Sequence, residues 1–404
     1  MPLPIVVFGA FDRHNLGDLL LAHVAEALLP GRVGAFAGLA TRDLRAEGGH
    51  AVQALHELAA RWTGGPAVLW HAGGELLSCR AWHAAVMLQH PADIAPSLPY
   101  LQRRPSTRAA WARRVLATAS RAPYVAGRSR FPPASRVVFC GVGGVGLPRA
   151  SAALQAEVRA QLADADAVGV RDGRTAAWLH AQGIAARLMP DPALAVADLF
   201  GPRIGEHGER GEIARLRRDF PQGWIAFQCS AVFGDDQTLE TLAAALTRLA
   251  ERTGAGIVLW RAGAAPWHDD SAVLQRLAAR LGTRRWRLLH TLHNWELCAL
   301  VARARLVVAS SLHARLVACA FARPRVTVAP PLRGDPAAKH RAVIEAWDGG
   351  PMPGVVAADE LDSAMARALA LAQAPATATE DRARAAALAA RVRSDVDALL
   401  ARLT

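Results

Sequence analysis

Lysine is almost missing from this sequence. Lys339 stands alone against 46 arginines, and asparagine occurs only at Asn15 and Asn294. Alanine and arginine are overused, as a strong coding bias would produce, so residues such a bias disfavours persist preferentially where their chemistry is needed. Long apolar runs are also missing: no stretch reaches the roughly 18 apolar residues of a membrane-spanning helix. The five cysteines (Cys79, Cys140, Cys229, Cys298, Cys319) lie far apart. That spacing excludes a disulfide scaffold and the close pairs of a zinc or redox motif, leaving small buried thiols. The opening MPLPIVVFGAF has neither a basic n-region nor a small-residue cleavage site, so no signal peptide and a cytoplasmic location are expected.

What is present in excess is positive charge, a formal +12. The arginines are dispersed, with only brief clusters such as RRPSTRAAWARR (103–114), and no aromatic ladder accompanies them. A nucleic-acid partner is therefore not expected. Acidic substrates, or contact with an anionic membrane at its inner face, suit the charge equally well.

At 404 residues the chain exceeds one ordinary core. Short β-rich runs recur: PIVVFGA (4–10), AVLWHAG (67–73), RVVFCGVG (136–143), AVGVR (167–171), WIAFQC (224–229), GIVLWRAG (256–263), RLVVAS (305–310) and RVTVAP (325–330). Amphipathic segments lie between them, among them 18–29, 153–162, 238–252 and 295–304. This alternation predicts an α/β protein of two Rossmann-like doubly wound domains facing a cleft. The Gly-, Pro- and charge-rich segment 200–223 breaks the rhythm and is read as the boundary. The expected domains are 1–205 and 206–380, with 381–404 as a helix packing across a domain.

In open parallel sheets ligands bind at the carboxyl ends of the strands, so the polar residues there are the candidates. In NLGD, Asn15, Gly17 and Asp18 stand at a helix start, where free N–H groups attract anions or sugar hydroxyls; the plainer reading is that Asp18 caps the helix. Gly73 and Gly74 follow a strand and are otherwise a tight turn. Gly141, Gly143 and Gly146 fit G-x-G-x-x-G, but Pro148 interrupts before a helix can open on a pyrophosphate, which counts against dinucleotide binding. Arg171 can grip a phosphate or carboxylate in bidentate fashion, or form a surface pair with Asp172. APWHDD (265–270) and HTLH (290–293) lack a further ligand on one face, so capping is preferred to a metal. Most telling is ARLVVASSLHARLVACAFARPRV (304–326), an apolar strand and helix carrying Ser310, Ser311, His313 and Arg315 at their junction. A histidine at such a helix start can donate a proton to an anionic substrate; the alternative is a core histidine satisfied by a carbonyl.

Taken together, NLGD (15–18), AGGELL (72–77), GVGGVG (141–146), VRDGRTAAWLHAQGI with PDPAL (170–194), HNWELCALVARARLVVASSLHARLVACAFARPRV (293–326) and KHRAVIEAW (339–347) resemble the polysaccharide pyruvyl transferase family. The resemblance implies a GT-B-like two-domain fold, with 1–205 on the acceptor side and 206–380 on the donor side, and phosphoenolpyruvate as donor and co-substrate, with no further cofactor and no metal. It also implies a ketal formed on a sugar or lipid-linked glycan of a cell-surface polysaccharide. His313 then matches the general acid. Arg171, Arg315, Lys339 and Ser311 become donor-binding residues, and Asn15, Gly17, Asp18, Gly73 and Gly74 acceptor-binding ones. One departure stands out: the family often carries Arg immediately before Leu-His, and this chain has Ser311, for which Arg315 is the nearest substitute. Two alternatives remain. One is a GT-B glycosyltransferase using a nucleotide sugar, disfavoured because 312–321 holds no acid for the ribose hydroxyls. The other is a catalytically silent glycan-binding relative.

Overall fold

The computed structural model describes residues 3–403. Two compact units divide the chain: residues 1–192 with 391–404, and residues 193–390. The division therefore falls between Pro192 and Ala193 rather than near residue 205. The segment expected to be a linker is helical instead, as Val196–His207 and Gly211–Asp219. Packing overrides the breakers there. Phe200 lies against Trp295 at 5.0 Å between ring centroids, and the Arg203 guanidinium sits 4.4 Å above the same indole, so Pro202 is carried inside a helix. The C-terminal helix runs Pro375–Leu400, and its last part, from Arg391, belongs to the first unit.

In the first unit the strands are β1 (Ile5–Phe8), β2 (Val33–Gly38), β3 (Arg42–Asp43), β4 (Ala51–Ala54), β5 (Val68–His71), β6 (Arg136–Val142), β7 (Ala167–Val170) and β8 (Arg187–Leu188). Their order is β3-β4-β2-β1-β5-β6-β7-β8, parallel apart from the short β3–β4 pair. Both faces are covered, which is why β1 reads as an unbroken apolar run. Ile5 and Val7 enter one core with Trp70, Met189 and Val396; Val6 and Phe8 enter the other with Leu69, Phe139 and Leu77.

The second unit continues with β9 (Trp224–Gln228), β10 (Gly256–Leu259), β11 (Trp286–Leu288), β12 (Leu306–Ala309), β13 (Arg325–Val328) and β14 (Val355–Val356). It is an all-parallel sheet in the order β11-β10-β9-β12-β13-β14.

Strand order locates the ligand edges. In the first unit the chain winds outward from β1 to β2 and then returns to β5 on the other side of β1. In the second it winds from β9 through β10 to β11 and returns to β12 beside β9. These reversals are the topological switch points, where loops diverge and open a crevice above the carboxyl ends.

At the first switch point β5 ends in His71, wholly buried between Phe8 and Phe139. Its Nε2 accepts from the Ala126 N–H at 3.2 Å, so its Nδ1–H donates to the Val138 carbonyl at 3.1 Å. Burial pushes the imidazole down to about 3, against a smaller opposing effect of the carbonyl. The unfolded chain, with an ordinary value near ~6.5, takes up a proton that the fold refuses. Stability is thus lost as pH falls from about 6.5 toward 3. The thermal midpoint should drop over that window, and His71→Gln, which keeps a donor and an acceptor, should flatten the dependence. An unchanged slope in the variant would reject this assignment.

Candidate functional site

The sequence directly after each switch-point strand carries the polar residues of its unit. In the first unit Asn15 caps the helix Leu16–Leu28, its Oδ1 accepting from the N–H groups of Gly17 (3.0 Å) and Asp18 (3.3 Å). The cap is therefore Asn15 and not Asp18, and those two N–H groups are already engaged. The Asp18 carboxylate turns instead to Arg13, 3.4 Å away. Arg13 in turn donates to the Tyr124 hydroxyl (2.9 Å), and that hydroxyl donates to Asp12 (3.2 Å). Asp12 also accepts from the N–H groups of Leu39 and Ala40, which anchors the loop after β1; burial nevertheless pushes its carboxyl up.

Gly73 and Gly74 both have φ near +87°, a backbone only glycine adopts without strain. A Cβ at Gly73 would meet Leu21 at 3.1 Å, and one at Gly74 would meet Asp18 Oδ1 at 3.5 Å. The pair thus lets the chain pass close to the helix start and deliver Glu75. That carboxylate accepts from Ser78 Oγ (3.0 Å) and from Arg171 (2.9 Å).

Arg171 follows β7 and is almost wholly buried, with Asp191 on one side of its guanidinium at 2.8 Å and Glu75 on the other. It is not a surface pair with Asp172, which caps the helix Gly173–Ala181 through the Thr175 N–H. Two carboxylates already balance its charge, so the donor-binding role expected of Arg171 does not match its setting. Glu75, Arg13, Tyr124 and Asp12 were not singled out from the sequence. Asp12 and Tyr124 are buried and serve the packing of this edge, whereas Glu75 is part-exposed.

The second unit builds a different edge. Gln228, the last residue of β9, is buried; its Oε1 accepts from the N–H groups of Ser310 (3.0 Å) and Ser311 (2.9 Å), and its Nε2 donates to Asp269 (2.7 Å). Burial pushes the Asp269 carboxyl up to about 7, although the Ala262 N–H and Gln228 favour its charged form. Asp270, beside it, caps the helix Ser271–Ala278, so APWHDD is loop and cap as expected. Ser311 caps the helix Leu312–Ala320, its Oγ accepting from the Ala314 N–H at 3.4 Å. His313 stands half-buried in the first turn of that helix.

A second histidine joins it. His340 Nε2–H donates to the Ser310 carbonyl at 3.0 Å, which brings the first turn of the helix Ala338–Trp347 to the same edge. Lys339, next to His340 on that turn, is exposed. The His340 bond thus brings the turn that carries Lys339 to the strand end at which Ser311 and His313 start their helix.

Arg315 does not join them, which corrects the sequence expectation. Its side chain runs inward: Nε donates to Asp348 (2.8 Å) and Nη1 to the Pro353 carbonyl (2.9 Å). Asp348 also receives Arg325, which pairs in turn with Asp381 at 2.7 Å. All four groups are buried. Arg315 therefore ties its helix to the segment around residue 350 and leaves the position before Leu-His without an arginine substitute.

Solved structures with the same architecture define the class. The chain superposes on the UDP-GlcNAc 2-epimerase of Neisseria meningitidis bound to UDP-GlcNAc with a TM-score of 0.54 at 9% identity, covering 100% of this chain and 99% of that one. It superposes on sucrose-phosphate synthase from Thermosynechococcus elongatus with a TM-score of 0.53 at 14% identity, covering 100% and 99%. With the S. aureus MnaA–UDP structure the TM-score is 0.51 at 10% identity, covering 95% and 91%. At such identities the likeness shows the fold, and the fold is GT-B. No curated protein matches the sequence. Residues 131–330 match the family described as polysaccharide pyruvyl transferase, a span holding β6 to β13 with Arg171, Ser311 and His313. That match covers 200 of the 404 residues, and over it the chain is similar to the polysaccharide pyruvyl transferase family. No helix among the described residues is long and apolar enough to cross a membrane.

Proposed function

We propose that this protein transfers the pyruvyl group of phosphoenolpyruvate to two hydroxyls of a sugar in a surface polysaccharide or its precursor, forming a ketal and releasing phosphate. What supports the reading is the second unit's switch point, where Ser311 and His313 start a helix within the stretch that matches the family and His340 ties in the turn that carries Lys339.

Chemistry sets the roles. His313 gives a proton to the methylene carbon of the enol ester, which becomes a methyl group and leaves cationic character at the neighbouring carbon. One sugar hydroxyl adds there and phosphate departs. The second hydroxyl closes the ring, one hydroxyl proton restoring the imidazole and the other leaving with phosphate. Lys339, with the N–H groups of the helix that His313 opens, offsets the donor's carboxylate and phosphate charge. Burial pushes the Asp269 carboxyl up to about 7, which lessens the charge it sets against the donor's.

The first unit's edge suits the sugar. Asp18 and Glu75 accept from hydroxyls, and Arg171, held by Asp191, fixes Glu75 in place. Gly73 and Gly74 give close backbone approach. A nucleotide-sugar glycosyltransferase, the activity class nearest in fold, lacks support here because the helix Leu312–Ala320 offers no carboxylate for ribose hydroxyls.

The test is direct. Phosphoenolpyruvate is offered with a panel of lipid-linked and nitrophenyl sugars, and phosphate is measured. Release that depends on one acceptor is expected. No release with any acceptor, together with hydrolysis or transfer from a UDP-sugar, would replace this reading with glycosyl transfer.

A further inference from the structure

On the first unit, away from the strand-end residues described above, three side chains from two chain segments converge. His23 and Glu26 lie one turn apart on the helix Leu16–Leu28, and His50 comes from the segment that leads into β4. Glu26 Oε2 is 3.2 Å from His50 Nε2 and 4.0 Å from His23 Nδ1, and the three ligand atoms all lie within 4.8 Å of one another.

We infer that His23, Glu26 and His50 form a binding site for a divalent transition-metal cation of the zinc class. Geometry is the first argument. A tetrahedral ion with bonds of about 2.0–2.1 Å holds its ligand atoms about 3.3 Å apart. The Glu26–His50 separation already meets this, and the His23–Glu26 one needs to close by some tenths of an ångström, well within the reach of an exposed glutamate.

Tautomer is the second. The Gly48 carbonyl can only accept, so His23 Nε2, 2.8 Å away, carries the ring's proton and donates it. In the neutral ring the Nδ1 lone pair is left facing Glu26. This is how metal-binding histidines are oriented: the non-ligating nitrogen bonds a backbone carbonyl and the other is presented to the ion. A cation entering between that lone pair and the carboxylate is attracted by both.

Support around the rings is the third. His50 lies against Phe36 at 3.9 Å between ring centroids, and the two imidazoles are 4.1 Å apart and inclined by 43°, so their in-plane lone pairs are not parallel. Glu26 lies in the helix's last turn, where the carbonyl ends favour a cation. Two imidazoles and a carboxylate select zinc-class ions over magnesium or calcium, which prefer oxygen ligands. Water would complete the coordination beside exposed Glu26. The other grouping of such residues, His207, His293 and Glu296, has its two rings stacked within 22° of parallel, so their lone pairs run side by side.

Bound there, the ion would clip residues 42–54 to the helix whose first turn carries Asn15, Gly17 and Asp18. The full chain, freed of any affinity tag and stripped with a chelator, is titrated with Co2+ and Zn2+. Expected are one ion per chain, visible ligand-field absorption with Co2+, and a thermal midpoint raised by several degrees with Zn2+. Glu26→Gln, on the surface and without risk to the fold, and His50→Ala should each weaken Zn2+ binding at least tenfold. Absence of stoichiometric binding, or unchanged affinity in both variants, overturns the site.

Discussion

Asp348→Ala should destabilise the second unit by about 3–5 kcal/mol, the cost of leaving a buried charge without its partner. The carboxylate holds two guanidiniums, Arg315 at 2.8 Å and Arg325 at 2.5 Å, and neither arginine is more than 1% exposed. Burial pushes the Asp348 carboxyl up, but the two cations outweigh it and hold it below the usual range. Arg325 keeps Asp381 when Asp348 is removed; Arg315 keeps no carboxylate, but the Pro353 carbonyl and long contacts to Thr327 Oγ1 at 3.4 Å and the Gly354 carbonyl at 3.5 Å. The stranded cation is therefore Arg315, whose own charge burial already opposes. Since a whole domain is stable by only about 5–15 kcal/mol, the loss should appear as a much lower urea midpoint. Replacing both partners, Arg315→Met with Asp348→Leu, should recover most of it, because an apolar pair demands no desolvated charge. If the double variant is as unstable as the single, the stranded charge is not the cause.

That cluster also shows where sequence reasoning stopped. The eight strands expected from apolar runs are present within a few residues, because a strand buried on both faces must be apolar throughout and so announces itself locally. β2, β3, β4, β8, β11 and β14 are exposed on one face or very short, and carry no such run. Strand order was not legible, since pairing β1 with β5 and β9 with β12 is a contact across tens of residues. Yet strand order is what singles out the loops after those strands.

Partners were equally hidden. Asp12 and Tyr124 are 112 positions apart, and Glu75 and Arg171 are 96 apart. Arg171 thus reads in the sequence as an anion-gripping cation or a partner of Asp172, although Asp191 and Glu75 flank it in the fold. For Arg315 a local signal did exist. It stands one turn before Cys319, a small buried thiol that itself contacts Asp348 at 3.8 Å, so the two share an inward helix face. The helical period places Arg315 on the core side, and His313 two positions earlier toward the strand ends. The domain boundary misled for the converse reason: glycine and proline in 200–223 signal a break only when nothing packs on them, and Trp295 does.

His313→Gln should reduce turnover with phosphoenolpyruvate by about 10²–10⁴-fold, the usual contribution of a positioned general acid. Glutamine keeps the size and a hydrogen-bonding end but has no proton to give, so donor binding should change little while kcat falls. The position tolerates the exchange: His313 is half-buried in a first turn that Ser311 caps, and neither the cap nor the Gln228 bonds to Ser310 and Ser311 involve its ring. The thermal midpoint should therefore stay close to that of the unsubstituted protein, which separates lost chemistry from lost fold. A product readout is independent of rate. In D2O the ketal methyl group should carry one deuterium, since the arriving proton exchanges with solvent on the imidazole before transfer to carbon. Full turnover in the variant would remove the acid from this ring, and a methyl group without deuterium would mean that the methylene carbon is never protonated from an exchangeable group. Without that protonation, no electrophilic carbon forms for the sugar hydroxyl to attack.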